Sequence, residues 1–112
     1  MSGNPLSEYK GVWLFAMFDL PVDTKAARRA YARFRKALLK EGFSRLQLSV
    51  YARYFGCQEA SEIHRKRIRS SLPPDGQVRL LAVTDHQFGK MDVFLGRKRQ
   101  DTEAAPRQLL LF

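Results

Sequence analysis

One cysteine in 112 residues leaves Cys57 with no intramolecular disulfide partner, and a single thiolate is no zinc site. Histidine is nearly as scarce: His64 and His86 are far apart in sequence and share no ligand spacing. No glycine-rich phosphate loop opens a helix pattern. No apolar run approaches the ~18–20 residues of a membrane span. The opening stretch MSGNPLSEYKG holds no signal-peptide core, so a cytoplasmic protein is expected. Acid is the last shortage. Eleven Asp and Glu face 20 Lys and Arg, which leaves a net charge of +9 and a pI near 10.2. Polyanions are the implied partners: DNA, RNA or an acidic membrane surface.

What is present is a core for one domain. Hydrophobic residues make up 45% of the chain, too many for disorder. Residues 1–11 read as a flexible lead without a periodic apolar face. Residues 12–18 are apolar without interruption, and the run ends on Asp19 before Pro21. In a strand, Val12, Leu14, Ala16 and Phe18 share one face while Trp13, Phe15 and Met17 share the other. A strand with one wet face alternates apolar and polar, so both faces of this one are expected to be buried. Helices cover one; a second copy of the chain is the simplest cover for the other.

Asp23 or Thr24 is placed to cap a helix over residues 25–41 that Gly42 ends. Ala27, Ala30, Tyr31, Phe34 and Leu38 share its inner side. Lys25, Arg29, Arg33, Lys36 and Lys40 share the outer one. Seven basic residues against one acid, Glu41, make a cationic stripe. A solvated helix face normally mixes Glu with Lys for pairing, so contact with a polyanion is the favoured reading. Residues 43–56 read as strand, long enough to be split by a hairpin near 47–49 that no turn residue marks. A second helix spans 58–72, with Ala60, Ile63, Arg67 (by its stem) and Ser71 inward and Arg65, Lys66 and Arg69 outward. Pro73-Pro74-Asp75-Gly76 is a turn. A strand over 78–84, a connector over 85–90 and a short strand over 91–95 follow. A polar, basic linker then leads to an apolar strand over 109–112. The order β-α-β-(β)-α-β predicts an α+β fold of ferredoxin-like type, βαββαβ. Its antiparallel sheet would carry both helices on one face and leave the other bare. The domain would span 12–96, with 97–112 as basic linker and a C-terminal strand packing on the dimer.

Asp19 is the carboxylate with the best site logic, because a buried strand holds it rigidly at an edge. A two-fold axis near that strand would bring two copies together, and two carboxylates with water and phosphate suit octahedral Mg²⁺. Turn formation before Pro21 is the competing role. Ser49, Tyr51 and Arg53 are candidate helpers near the same edge. Surface packing is expected of His64, burial as a small hydrophobe of Cys57, and a core or dimer role of Trp13.

These residues also carry a resemblance. Phe18-Asp19-Leu20-Pro21, the basic segment Tyr31-Ala32-Arg33-Phe34-Arg35-Lys36, Leu46-Gln47-Leu48-Ser49-Val50-Tyr51, the turn Leu72-Pro73-Pro74-Asp75-Gly76 and the closing Gln108-Leu109-Leu110-Leu111-Phe112 resemble, as an ordered set, the CRISPR-associated protein 2 family. The turn, Gln87-Phe88 and the last strand look most like members from type II systems. The resemblance implies a ferredoxin-like homodimer in which Asp19 matches an aspartate proposed to bind Mg²⁺ across the dimer axis. It implies a larger CRISPR-associated integrase as partner, double-stranded prespacer DNA as ligand, and metal-dependent endonuclease activity on RNA or DNA. In spacer acquisition the implied role is scaffolding, independent of cleavage. A toxin-like metal-dependent endoribonuclease of similar fold, resembling the VapD family, is the alternative. A single-strand RNA reader is a further one, although the aromatic motif of such readers is absent.

Overall fold

The computed structural model describes residues 11–106. Strand β1 (Val12–Asp19) leads into helix α1 (Lys25–Lys40). The hairpin β2 (Ser44–Gln47) and β3 (Val50–Phe55) follows, then α2 (Gln58–Arg69) and β4 (Gln77–Thr84). A short helix α3 (Asp85–Gly89) and a two-stranded hairpin, β5 (Val93–Leu95) with β6 (Lys98–Gln100), complete the order. The four main strands form an antiparallel sheet in the order β2-β3-β1-β4, the ferredoxin-like arrangement expected from the sequence.

Local chemistry accounts for the boundaries. Thr24 caps α1, its hydroxyl accepting from the Ala27 amide at 3.0 Å. Gly42 ends the helix at φ +86. The long strand pattern over 43–56 breaks at Leu48 and Ser49, and the Ser49 carbonyl accepts from the Phe18 amide at 3.0 Å. That bond ties the hairpin tip to β1, so the turn is held by tertiary contact and not by a turn residue.

Two apolar clusters lie on opposite faces of β1. Val12, Leu14, Ala16 and Phe18 pack beneath Phe34 and Leu38 of α1 and Ile68 of α2. Burial of each such large side chain stabilises by about 1.5–3 kcal/mol. Trp13 and Phe15 pack on the other side with Ala52, Tyr54 and Phe88. Here the structure corrects the sequence reading. The second face is not bare, because the expected connector at 85–90 is helix α3, closed by a reciprocal capping box between Thr84 and Gln87. It delivers Phe88 onto Trp13, rings stacked at 4.0 Å and 9°. The Trp13 indole N–H donates to Asp85 Oδ1 at 2.7 Å, and Ala105 packs on the same cluster. Leu81, Phe94 and Leu95 stay exposed.

Other differences are smaller. α2 stops at Arg69, and its buried positions are Ser61 and Ile68, while Ile63 and Ser71 face solvent. Arg67 is exposed as well. Cys57 is exposed at the α2 N-cap, not buried. Strand β6 falls in the stretch expected to be linker, paired with β5 across Gly96. The lead up to residue 10 and the C-terminal strand at 109–112 lie outside the described residues.

Gly76 is one of the glycines the fold requires. Its φ is +92, and a Cβ there would lie 2.7 Å from the Asp19 carbonyl oxygen and 2.7 Å from a Leu20 methyl. Gly76→Ala is expected to lower stability by at least about 1–3 kcal/mol, a Tm drop of roughly 4–8 °C per kcal/mol in a domain of this size. Gly56→Ala, which meets nothing within 4 Å, is the matched control in thermal denaturation and should shift Tm little.

Candidate nucleic-acid interface and the Asp19 edge

Asp19 is the last residue of β1, paired with Gln77 of β4 and exposed. Strand alternation aims its side chain to the face of Trp13, Phe15 and Met17, away from α1 and α2. Its backbone is held by the β4 ladder and by Gly76 against its carbonyl. The carboxylate oxygens are hard donors of the kind Mg²⁺ takes. Among the described residues no group of three or more His, Cys, Asp or Glu is placed to hold a metal. Among the described residues Asp19 thus belongs to no ready-made ligand cluster, and a cation held there would draw further ligands from outside it, such as a second copy, water or phosphate.

The candidate helpers separate. Ser49 stays at this end of the sheet, its carbonyl bound to the Phe18 amide. Tyr51 is fully buried on the helix-covered face, and its hydroxyl accepts from Arg35 Nε at 2.9 Å. Arg53 is not at the Asp19 edge. It pairs with Leu14, five residues up β1, about 17 Å along the strand at ~3.4 Å per residue. Its guanidinium donates to the Glu41 carbonyl at 2.6 Å and lies 4.6 Å from the centre of the Phe55 ring. Arg53 is a brace at the C-terminus of α1.

That brace belongs to a cluster that sequence reasoning missed. His64 Nδ1 lies 2.6 Å from Glu41 Oε1, and Arg67 approaches the same oxygen at 3.5 Å. Both His64 and Glu41 are largely buried, so His64 does more than surface packing. The partners are 23 residues apart, one at the C-cap of α1 and the other on α2, a separation that no periodic pattern signals.

The consequence falls on the stripe. Glu41, the single acid of the α1 segment, is turned toward α2. Lys25, Arg29, Arg33, Lys36 and Lys40 are all exposed, and among the described residues none lies within ion-pairing distance of a carboxylate. The other two arginines of α1 are engaged, Arg28 with the Val22 carbonyl at 3.0 Å and Arg35 with Tyr51. Successive members of the stripe stand three or four residues apart, so like charges face one another. Each such pair costs an isolated helix about 0.2–0.5 kcal/mol. A polyanion would offset that cost.

A family model described as "CRISPR associated protein Cas2" matches residues 12–91. That span runs from β1 through α3 and includes Asp19 and the whole stripe. The chain belongs to the CRISPR-associated Cas2 family. It is similar to the CRISPR-associated endoribonuclease Cas2 of Parvibaculum lavamentivorans, 52% identical over 90% of this chain and 100% of that protein. Proteins of the same name from Flavobacterium psychrophilum and Streptococcus mutans are 43% and 37% identical. They match over 96% and 88% of this chain and 93% and 90% of their own lengths. Among the described residues of this Cas2-family chain, no helix is long and apolar enough to cross a membrane.

One titrating group reports on the second face. Burial, with the Asp85 charge adding to it, raises the Tyr54 phenol above its ordinary value near 10.0. The folded state therefore holds the phenolic proton more tightly than the unfolded one. The stabilisation is complete below the unfolded value and is lost as pH rises through the raised folded one. Tyr54→Phe should lessen the fall in unfolding free energy that sets in above about pH 10, measured by urea titration at successive pH values. An unaltered alkaline slope would assign that loss to other groups.

Proposed function

We propose that this chain is a nucleic-acid-binding subunit of CRISPR adaptation. It acts as a homodimer and holds double-stranded prespacer DNA beside a larger integrase. The observation that carries this reading is the stripe on α1: five exposed cations with no carboxylate in ion-pairing range among the described residues. Family membership supplies the CRISPR context. Phosphate neutralisation by such a surface releases counterions, so affinity falls steeply with salt. The exposed Leu81, Phe94 and Leu95 support a second copy as the cover for the rest of the apolar sheet face.

The second reading is a metal-dependent endoribonuclease, favoured by the name its relatives carry and by the exposed Asp19 at the end of the most buried strand. In this reading Asp19 of each of two copies holds Mg²⁺, and Ser49, whose carbonyl accepts from the Phe18 amide, stands at the same end of the sheet. Bound Mg²⁺ supplies charge stabilisation at a phosphoryl group. The protein's contribution is to fix the Asp19 backbone, through the β4 ladder and Gly76, so that only its side-chain torsions remain free.

Two measurements separate the readings. Replacing Arg29, Arg33 and Lys36 together by Ala should weaken duplex binding. It should also flatten the slope of log K against log[salt] by about 0.9 for each phosphate that is no longer neutralised. An unchanged slope would remove the stripe from the interface. Asp19→Ala should abolish Mg²⁺-dependent RNA cleavage while leaving sedimentation as a dimer and duplex affinity intact. Cleavage that persists in this variant would place the chemistry elsewhere.

A further inference from the structure

The flank of α1 that adjoins the stripe is hollow. Two recesses run end to end between α1 and the Pro73-Pro74 turn, about 480 and 350 Å³ in volume, and they share Ala30, Pro73 and Pro74 as walls. Both fall toward the lower end of the range for small-molecule sites, about 300–1,000 Å³. They exist because α1 places alanines where larger side chains would fill the gap: Ala26, Ala27 and Ala30 in the first, Ala30 and Ala37 in the second. Tyr31 stands in the first recess, half-buried and fixed by an edge-on contact with Phe18 at 5.9 Å. Arg33, a member of the stripe, lines the second.

The chemistry of this groove differs from that of the stripe beside it. The stripe offers cations in a row and nothing else. The groove offers an aromatic ring, proline rings and alanine methyls, with Asp23 and Asp75 lining its first recess. Ionised carboxylates accept hydrogen bonds and cannot donate. They repel a phosphate and suit the N–H groups on the edge of a base. A line of cations next to a partly apolar groove that carries an aromatic ring is the arrangement that binds single strands, with backbone on the charges and bases on the rings. The bases of an intact duplex are stacked inside it and have no use for such a groove.

We propose that the groove between α1 and the Pro73-Pro74 turn holds unpaired nucleobases of a single strand whose phosphates follow Lys25, Arg29 and Arg33, with Tyr31 as the stacking platform. The proposal rests on the stripe being a phosphate track, as argued above. It adds a selection that the track alone lacks, because phosphates are common to duplex, single strand and abasic backbone alike. Charge complementarity decides the occupant: an apolar peptide would use the alanine and proline walls but would leave the adjoining cations unmatched.

The test compares three labelled ligands of equal length by fluorescence anisotropy: a single-stranded oligonucleotide, the same backbone made abasic, and a duplex. The native protein should bind the strand bearing bases at least about five-fold more tightly than its abasic counterpart, the factor expected for one stacked base. Ala26→Leu, which fills the first recess from an exposed position, should bring that ratio close to one and leave duplex affinity unchanged. Tyr31→Leu, which keeps an apolar contact for Phe18, should do the same. Equal binding of the base-bearing and abasic strands by the native protein overturns the groove and spares the stripe. A ratio preserved in both groove variants assigns the bases to another surface and also overturns it. If the triple Arg29, Arg33 and Lys36 variant binds all three ligands unchanged, the phosphate track itself fails, and the groove proposal with it.

Discussion

Hydrogen bonding of β1 along both edges, with apolar side chains on both faces, is the constraint on which the other elements depend. β3 and β4 pair with it directly, and α1 and α2 cover one side through Phe34, Leu38 and Ile68. α3 exists to bring Phe88 over the other. A central strand of this kind cannot shift register by one residue. The slip would exchange two apolar sets of different shape and tear the Phe18–Ser49 bond that holds the hairpin tip. Asp19 gains its fixed position from that rigidity, because the first polar side chain after seven apolar ones has no freedom to slide along the sheet.

Electrostatics on the helix-covered side follow a different logic. α1 is cationic without internal compensation, and the single acid in its segment is drawn off by His64 and Arg67 of α2. Holding Glu41 in a largely buried pair joins the two helices at one end and withdraws from the stripe the only carboxylate of its own segment. The arrangement trades helix stability for surface potential. That trade is intelligible if the surface serves a ligand of opposite charge.

The sequence disclosed most of the fold because its strongest patterns are local. The unbroken apolar run at 12–18, the 3.6-residue period of Phe34 and Leu38, and Gly42 and Gly76 at turn positions each carry their physical reason within a few residues. What it hid depends on distant contacts. The hairpin at Leu48-Ser49 is fixed by a bond to Phe18, and α3 by packing against Trp13, so neither has a signature in its own neighbourhood beyond the Thr84–Gln87 cap. Arg53 alternates correctly for a surface strand residue, yet it folds back over Phe55 to the end of α1. Its distance from Asp19 follows from which β1 residue it faces, and pairing register is not written in either strand alone. For the site, the stripe was legible as a periodicity. The lack of carboxylate partners was not, since it depends on where Glu41 turns.

The stacking of Trp13 on Phe88 has a practical consequence. Trp13 is the one tryptophan in the chain, and it is buried on the side of the sheet opposite α1 and α2, with its indole N–H tied to Asp85. Its emission is thus a native optical reporter of the latch that α3 forms through Phe88, and of the Tyr54 contact beside it. Circular dichroism at helix wavelengths is dominated by α1 and α2. Together the two signals distinguish opening of one layer from opening of the other without any label, and they show whether a second protein that settles on the sheet does so with the latch closed or after it has been displaced.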